Sequence, residues 1–282
     1  MRLGLVAKLD DERAIKLAND VFTYCTSLGL DLLVDERLLS IVGWDARGFS
    51  LSSPSVDYLV VVGGDGTVLA TLQSLGDKVI PLITIKSGKR GFLCDVSPEG
   101  FKEAFNRFLN GDFFIRDYMR LESSVGGVKF PYALNEYVLT TSGLFRSKVA
   151  HFKVFKVFRG VQELVYDVLS DGFIISTTTG STAYNLSVGG PLVDPDLDAF
   201  VITPLAPLTL GVRSLVLSPT SEVYVEVVKE SYDVDVIADG NYVGRIKPGE
   251  VLIVRRAAKP ARFVRFGREG FNRVFQRLTY EF

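Results

Sequence analysis

Residues 56–62 form a nearly continuous apolar run that stops at Gly63-Gly64-Asp65-Gly66-Thr67, and residues 68–75 then take up helical spacing. A strand with no polar alternation is covered on both faces. A strand, a glycine loop and a helix in that order build a parallel sheet. The flanking segments agree. Residues 2–8 read as a strand. Residues 11–28 read as a helix, with Ala14, Leu17, Ala18, Val21, Phe22 and Cys25 on one face and Gly29 as its stop. Residues 30–34 and 79–85 read as strands, and 98–110 as a helix burying Phe101, Ala104, Phe105, Phe108 and Leu109. An α/β domain with a parallel sheet is therefore expected over 1–112.

Beyond residue 112 the period changes. Strand-like stretches follow one another at 120–125, 128–131, 136–140, 152–158, 164–168, 173–176, 223–228, 234–238 and 251–255, several alternating with period 2. Only 181–188 reads as an embedded helix start. The expectation is an all-β sandwich domain over 113–260. Phe271, Val274, Phe275 and Leu278 return to helical spacing, so a C-terminal helix within about 261–282 is expected to pack on the first domain. A chain of 282 residues has room for both domains and for a core that needs no covalent staples.

Composition removes several kinds of chemistry. Lys plus Arg number 32 and Asp plus Glu 33, a balance that argues against nucleic-acid binding by bulk charge. Two cysteines, Cys25 and Cys94, give neither a disulfide framework nor a CxxC motif. With His151 as the single histidine, a His-rich zinc site is impossible, and no nucleophile motif accompanies it. The apolar stretch 3–7 is too short for a secretory signal, and no run reaches the ~18 residues of a membrane span. A cytoplasmic protein without membrane partners is expected.

Three segments carry chemistry. In Gly63–Thr67, glycines permit close backbone approach to a ligand, and the helix that follows offers N–H groups to phosphate. The alternative is a plain strand-to-helix turn capped by Asp65. The loop is not a P-loop, since GxxxxGK[ST] is absent, and Leu69 stands where a Rossmann fingerprint wants its third small residue. In the second segment, 171–185, an apolar strand runs into Ser176-Thr177-Thr178-Thr179-Gly180-Ser181-Thr182. Six hydroxyls there exceed what a cap or a turn needs, and they suit a sugar, a diphosphate or an adenine edge. The third, Leu134-Asn135-Glu136-Tyr137, reads by itself as a surface turn.

Together the segments resemble the NAD kinase family, whose signature is a GGDGT loop, an NE pair, a DG…STPTGSTAY segment and a GGP…TPxAP stretch. Here these stand as Gly63–Thr67, Asn135-Glu136, Asp171–Tyr184, and Gly189-Gly190-Pro191 with Thr203–Pro207. GGDGT by itself is shared with diacylglycerol-type lipid kinases; the TGSTAY segment discriminates. The resemblance implies Mg²⁺-dependent transfer of a phosphoryl group from ATP, or from polyphosphate in some members, to the 2′-hydroxyl of the adenosine ribose of NAD, giving NADP. It implies a first domain of the diacylglycerol-kinase/NAD-kinase type, a nucleotide site between the two domains, and a homodimer or homotetramer.

Carried over residue by residue, Asp65 is the catalytic base. Donor phosphates fall to Gly63, Gly64, Gly66 and Thr67. NAD contacts fall to Asp65, Gly66, Phe92, Asn135, Glu136, Thr179, Thr182, Ala183, Tyr184 (by stacking), Asn185, Ser187 and Ala206, with Asn241 carried over weakly. Asp171 would meet the nicotinamide side or a neighbouring subunit's ligand. Metal ligands are not specified, the Mg²⁺ being held through phosphates. Lys86 replaces the Asn or His usual there and, with Lys89 and Arg90, makes a basic loop that is either solvated or a contact for donor phosphates. Thr178 stands for the family's proline and Leu208 for a common histidine; Arg213 matches a common arginine whose role is open. A lipid or sugar kinase would lack the TGSTAY segment. A non-catalytic dinucleotide sensor would be favoured if Asp65 or the Asn135-Glu136 pair were missing, and both are present.

Overall fold

The computed structural model describes residues 1–88, 91–142 and 148–267. The chain divides into two compact units, one of Met1–Tyr118 joined by the strand Ala261–Arg265, the other of Met119–Pro260.

The first unit is built on a seven-stranded sheet. Its strands are β1 (Arg2–Ala7), β2 (Asp31–Asp35), β3 (Gly48–Phe49), β4 (Tyr58–Gly63), β5 (Leu82–Lys86), β6 (Phe114–Tyr118) and β19 (Ala261–Arg265), in the order β3-β2-β1-β4-β5-β19-β6. All neighbours are parallel except β19 with β6. The strand order reverses between β1 and β4, and in open α/β sheets the crevice beyond the carboxyl ends at such a point is where ligands bind. Among the described residues four helices accompany the sheet: α1 (Glu12–Ser27), α2 (Glu36–Val42), α3 (Asp65–Leu75) and α4 (Phe101–Leu109). Asp11 caps α1 by accepting the Arg13 N–H at 3.0 Å. The core joins Leu3, Leu5, Val60, Val62 and Ile83 of the sheet to Ala14, Val21 and Phe105 of the helices.

The second unit has two six-stranded sheets, connected by antiparallel pairing throughout. One runs β11-β10-β15-β18-β7-β8, through β7 (Leu121–Val125), β8 (Val128–Ala133), β10 (Ala150–Phe158), β11 (Val161–Ser170), β15 (Glu222–Val227) and β18 (Val251–Arg256). The other runs β14-β13-β12-β9-β16-β17, through β9 (Glu136–Thr141), β12 (Gly172–Thr177), β13 (Phe200–Leu205), β14 (Leu215–Leu217), β16 (Val234–Ala238) and β17 (Asn241–Ile246). Alternate residues of both, among them Tyr137, Leu139, Phe152, Phe173, Phe200, Val225 and Val254, form one core. This is the α/β plus all-β pair of architectures expected from the sequence.

Several details differ from the sequence reading. Residues 261–265, placed at the start of a C-terminal helix, are strand β19, because they pair with both β5 and β6. The helical spacing at 268–278 lies outside the described residues. Helix α2 and strands β3, β6, β13, β14 and β17 were not signalled by period; β6 and β17 are largely exposed and β13 contains Pro204. Helix α3 starts at Asp65, inside the glycine loop, with Gly64 as its N-cap. The helix expected at 181–188 is broken into a 3₁₀ turn, Thr179–Thr182, and one α turn, α5 (Tyr184–Ser187), separated at Ala183 by an extended backbone with φ −94° and ψ −132°.

Candidate active site

The glycine loop closes β4 and opens α3 at the β1/β4 reversal. Gly63 is required by close packing, since a Cβ there would stand 2.3 Å from Thr67 Oγ1. At Gly64 and Gly66 a Cβ would meet nothing within 4 Å, so these two keep open space above the helix N-terminus. The space belongs to a cleft of about 440 Å³ lined by Lys8, Asp11, Arg37, Gly64, Gly66, Thr67, Ser87 and Gly88, among others. First-turn N–H groups lack intrahelical acceptors and carry the positive end of the helix dipole.

Asp65 is half-buried, and both its carboxylate oxygens are held by backbone. Oδ2 accepts the Phe92 N–H at 2.8 Å and Oδ1 the Leu93 N–H at 2.9 Å. The loop that supplies these donors is itself fixed. Ser87 N–H donates to Gly63 O at 3.0 Å, Cys94 Sγ lies 3.6 Å from the same oxygen, and Thr84 Oγ1 donates to Leu93 O at 2.9 Å. Lys86 ends β5 beside Gly63 and does not line the cleft; Lys89 and Arg90 lie outside the described residues. The cations that do line it, Lys8 and Arg37, were missed by the sequence reading. Their signal was positional: Lys8 follows β1 directly, and Arg37 opens α2. Arg37 is held in place by bonds from Nε and Nη2 to Asp35 at 3.0 and 2.8 Å.

In the second unit, the β16–β17 turn holds the Asn135-Glu136 segment. Asp239, with φ +46°, accepts the N–H groups of Leu134, Asn135 and Glu136 at 2.7, 2.8 and 3.1 Å. Glu136 is buried and its Oε2 has no hydrogen-bond partner among the described residues. Burial, helped by the charge of Asp239, pushes its carboxyl up to about 8. Two carboxyls side by side do not both ionise readily; burial pushes the Asp239 carboxyl up as well, against the three N–H donors that favour its charge. Ser176, paired with Glu136 across the strands, and Thr178 also carry buried hydroxyls without partners among the described residues.

The hydroxyl-rich segment is stitched to the same place. Thr177 donates from N to Asn135 O at 2.8 Å and from Oγ1 to Leu134 O at 2.7 Å. Gly180 has no alternative here, because a Cβ would stand 2.1 Å from Asn135 O. Asn135, Glu136, Thr179, Thr182 and Asn241 thus gather at one end of the sheet, Asn241 being paired with Ala238 beside the Asp239 turn. Tyr184 and Ser187 are exposed on α5.

Three residues named by the resemblance stand apart from this group. Asn185 is fully buried and its amide is spent internally: Nδ2 donates to Ser181 O and Pro191 O, both at 3.1 Å, and Oδ1 accepts from Thr203 Oγ1 at 2.6 Å. These bonds hold the segment together from within. Asp171 and Ala206 lie at the opposite end of β12 and β13 from Glu136. At ~3.3 Å rise per residue, five residues separate Asp171 from Ser176 by roughly 17 Å. Ala206 there has φ +43°, a left-handed conformation rare outside glycine.

The description "ATP-NAD kinase N-terminal domain" matches residues 3–113, and "ATP-NAD kinase C-terminal domain" matches residues 135–266. An NAD kinase of Thermococcus sibiricus is 36% identical over 281 residues, covering 99% of this chain and 98% of the relative. One from Methanothermobacter thermautotrophicus is 33% identical, covering 99% and 96%. The crystal structure of an NAD kinase from Archaeoglobus fulgidus in complex with ATP is 27% identical, with a TM-score of 0.78 over 99% of this chain and 98% of that one. No helix among the described residues is long and apolar enough to cross a membrane. Matched by both domain descriptions, and over nearly its whole length by these relatives, the chain belongs to the NAD kinase family.

Proposed function

We propose that the protein transfers the terminal phosphoryl group of ATP to the 2′-hydroxyl of the adenosine ribose of NAD, producing NADP and ADP. The observation that carries this reading is Asp65: a carboxylate in the first turn of α3, at the glycine loop that lines the cleft, aimed by two backbone donors. An ionised carboxylate has about four lone-pair sites, so each oxygen keeps room to accept a proton. As the 2′-oxygen bonds to phosphorus and the bond to ADP breaks, the hydroxyl proton passes to Asp65.

The donor phosphates suit the N–H groups around Gly64, Gly66 and Thr67, with Gly63 packed behind and Lys8 and Arg37 on the cleft wall. Lys86, Lys89 and Arg90 form the neighbouring basic stretch. A Mg²⁺ ion there would be carried on the phosphate oxygens, with water completing its shell. Bound there, it would neutralise charge on the transferring group. The nucleoside suits Asn135, Glu136, Thr179, Thr182, Ala183 and the exposed ring of Tyr184, with Ser187 nearby; the family resemblance also assigns Phe92 of the first unit to the nucleoside. Asp171 and Ala206 suit the far end of an extended dinucleotide or a ligand of a neighbouring subunit.

The test is NADP formation from NAD and Mg²⁺, with ATP and with polyphosphate in parallel. NADP in the ATP reaction supports the reading, and the ratio of the two rates names the preferred donor. Silence in both, with NAD still binding by calorimetry, would make the protein a dinucleotide sensor. Asp65→Asn should lose roughly 10²–10⁴ in turnover. Light scattering on the purified protein tests the expected homodimer or homotetramer.

A further inference from the structure

Residues 91–95, which hold Asp65, form no helix or strand; apart from the Asp95 N–H bond to Thr84 O at 3.2 Å, side chains hold their geometry. The most unusual of these is Arg265, at the end of β19 and only 1% exposed. Burying a guanidinium costs several kcal/mol that an apolar side chain would not. Its neighbours on β19, Phe263 and Val264, are fully buried apolar residues. Among the donors of Arg265, Nη1 lies 3.2 Å from Leu93 O and 3.5 Å from Thr84 Oγ1, while Nε and Nη2 reach Tyr118 Oη at 3.1 and 3.0 Å. The next residue adds a bond, from Phe266 N–H to Asp95 Oδ2 at 3.0 Å. Leu93 is thereby gripped from both sides. Its carbonyl accepts from Thr84 and Arg265, and its N–H donates to Asp65 Oδ1.

We infer that Arg265 is a positioning residue for the Asp65 carboxylate, acting through the Leu93 backbone from a strand 200 residues further along the chain. The inference rests on the reading of Asp65 as the base. The planar fork matters, because a lysine ammonium is a point charge that cannot hold Leu93, Thr84 and Tyr118 in one plane.

The experiment uses the full chain with Arg265→Ala and Arg265→Lys, each also made in an Asp65→Asn background. Circular dichroism and thermal melts fix a temperature at which every variant is folded. The expected result is a kcat lower by on the order of 10- to 100-fold in folded Arg265→Ala, with KM for NAD little changed. Methylguanidinium should restore part of the kcat of Arg265→Ala and none of that of Asp65→Asn. In the Asp65→Asn background the Arg265→Ala loss should vanish, as coupling through a shared group requires. Folded Arg265→Ala with wild-type kcat, or an undiminished loss in the Asp65→Asn background, overturns the inference while leaving Asp65 in its role. Wild-type turnover in Asp65→Asn overturns both. Should Arg265→Ala fail to fold, Tyr118→Phe releases two of the guanidinium contacts, and the same dependence on Asp65 is required of its smaller loss.

Discussion

Replacing Gly66 with alanine separates what the protein needs from what its ligand needs. Gly66 is exposed, lies in the first turn of α3 and has nothing within 4 Å of a built Cβ. Its backbone is helical, so alanine fits without strain and restricts the unfolded chain. The gain is roughly 0.4–1 kcal/mol, or roughly 1–4 °C in Tm for a chain of this size. The empty space beside it is where donor phosphates would approach the helix N–H groups. A methyl group there displaces them by about 1 Å, which costs on the order of 10²-fold in kcat/KM for ATP. Gly63→Ala is the contrasting variant: its Cβ would meet Thr67 Oγ1 at 2.3 Å and Thr67 Cβ at 2.7 Å. That overpacking costs roughly 1–3 kcal/mol of stability. Thermal melts and steady-state kinetics with varied ATP decide the matter. Gly66→Ala with unchanged kcat/KM for ATP would refute close approach of the donor to this backbone, and a lowered Tm would refute the packing argument.

Asn185→Ala removes the amide that bonds the Ser181 and Pro191 carbonyls and Thr203 Oγ1, the last keeping Ser214 Oγ at 3.0 Å, and should lower unfolding free energy by roughly 2–4 kcal/mol in urea titrations. Glu136 predicts a pH dependence. Its folded carboxyl keeps its proton to about pH 8, whereas the unfolded one loses it near the ordinary value. Between those limits the native state binds more protons, so stability falls as pH rises, by on the order of 4 kcal/mol. Comparing urea midpoints at pH 5 and pH 8 for the wild type and Glu136→Gln checks this, the variant being expected to lack that slope. Burial pushes the Cys25 thiol up to about 12; native protein should therefore resist alkylation at Cys25 at neutral pH, as mass spectrometry of the labelled peptides would show.

Much of the site was legible because its chemistry sits in contiguous segments. The glycine loop showed in the abrupt end of an apolar strand, and the hydroxyl run exceeded any capping need. Asn185 misled for the same reason: it stands in the motif, yet its amide faces inward to Thr203, and no local pattern reveals which way a side chain in a broken helix points. Asp239 was passed over because its role depends on three N–H groups about a hundred residues earlier. Residues 261–265 read as part of a terminal helix because their pairing partners, β5 and β6, lie more than 140 positions away.

Periodicity determined the succession of buried strands and amphipathic helices in the first unit and the alternating strands of the second, since both patterns express only which side of a local element faces water. Motif composition pointed to the kind of chemistry, a carboxylate beside a glycine loop that opens a helix. Tertiary structure alone decided which groups hold that carboxylate and that loop: Leu93 and Arg265 behind Asp65, Lys8 and Arg37 along the cleft, and Asp239 beneath Asn135 and Glu136. The reason is physical. A hydrogen bond between residues far apart in the chain depends on where the sheet brings the backbone, and that placement is a property of all the strands at once.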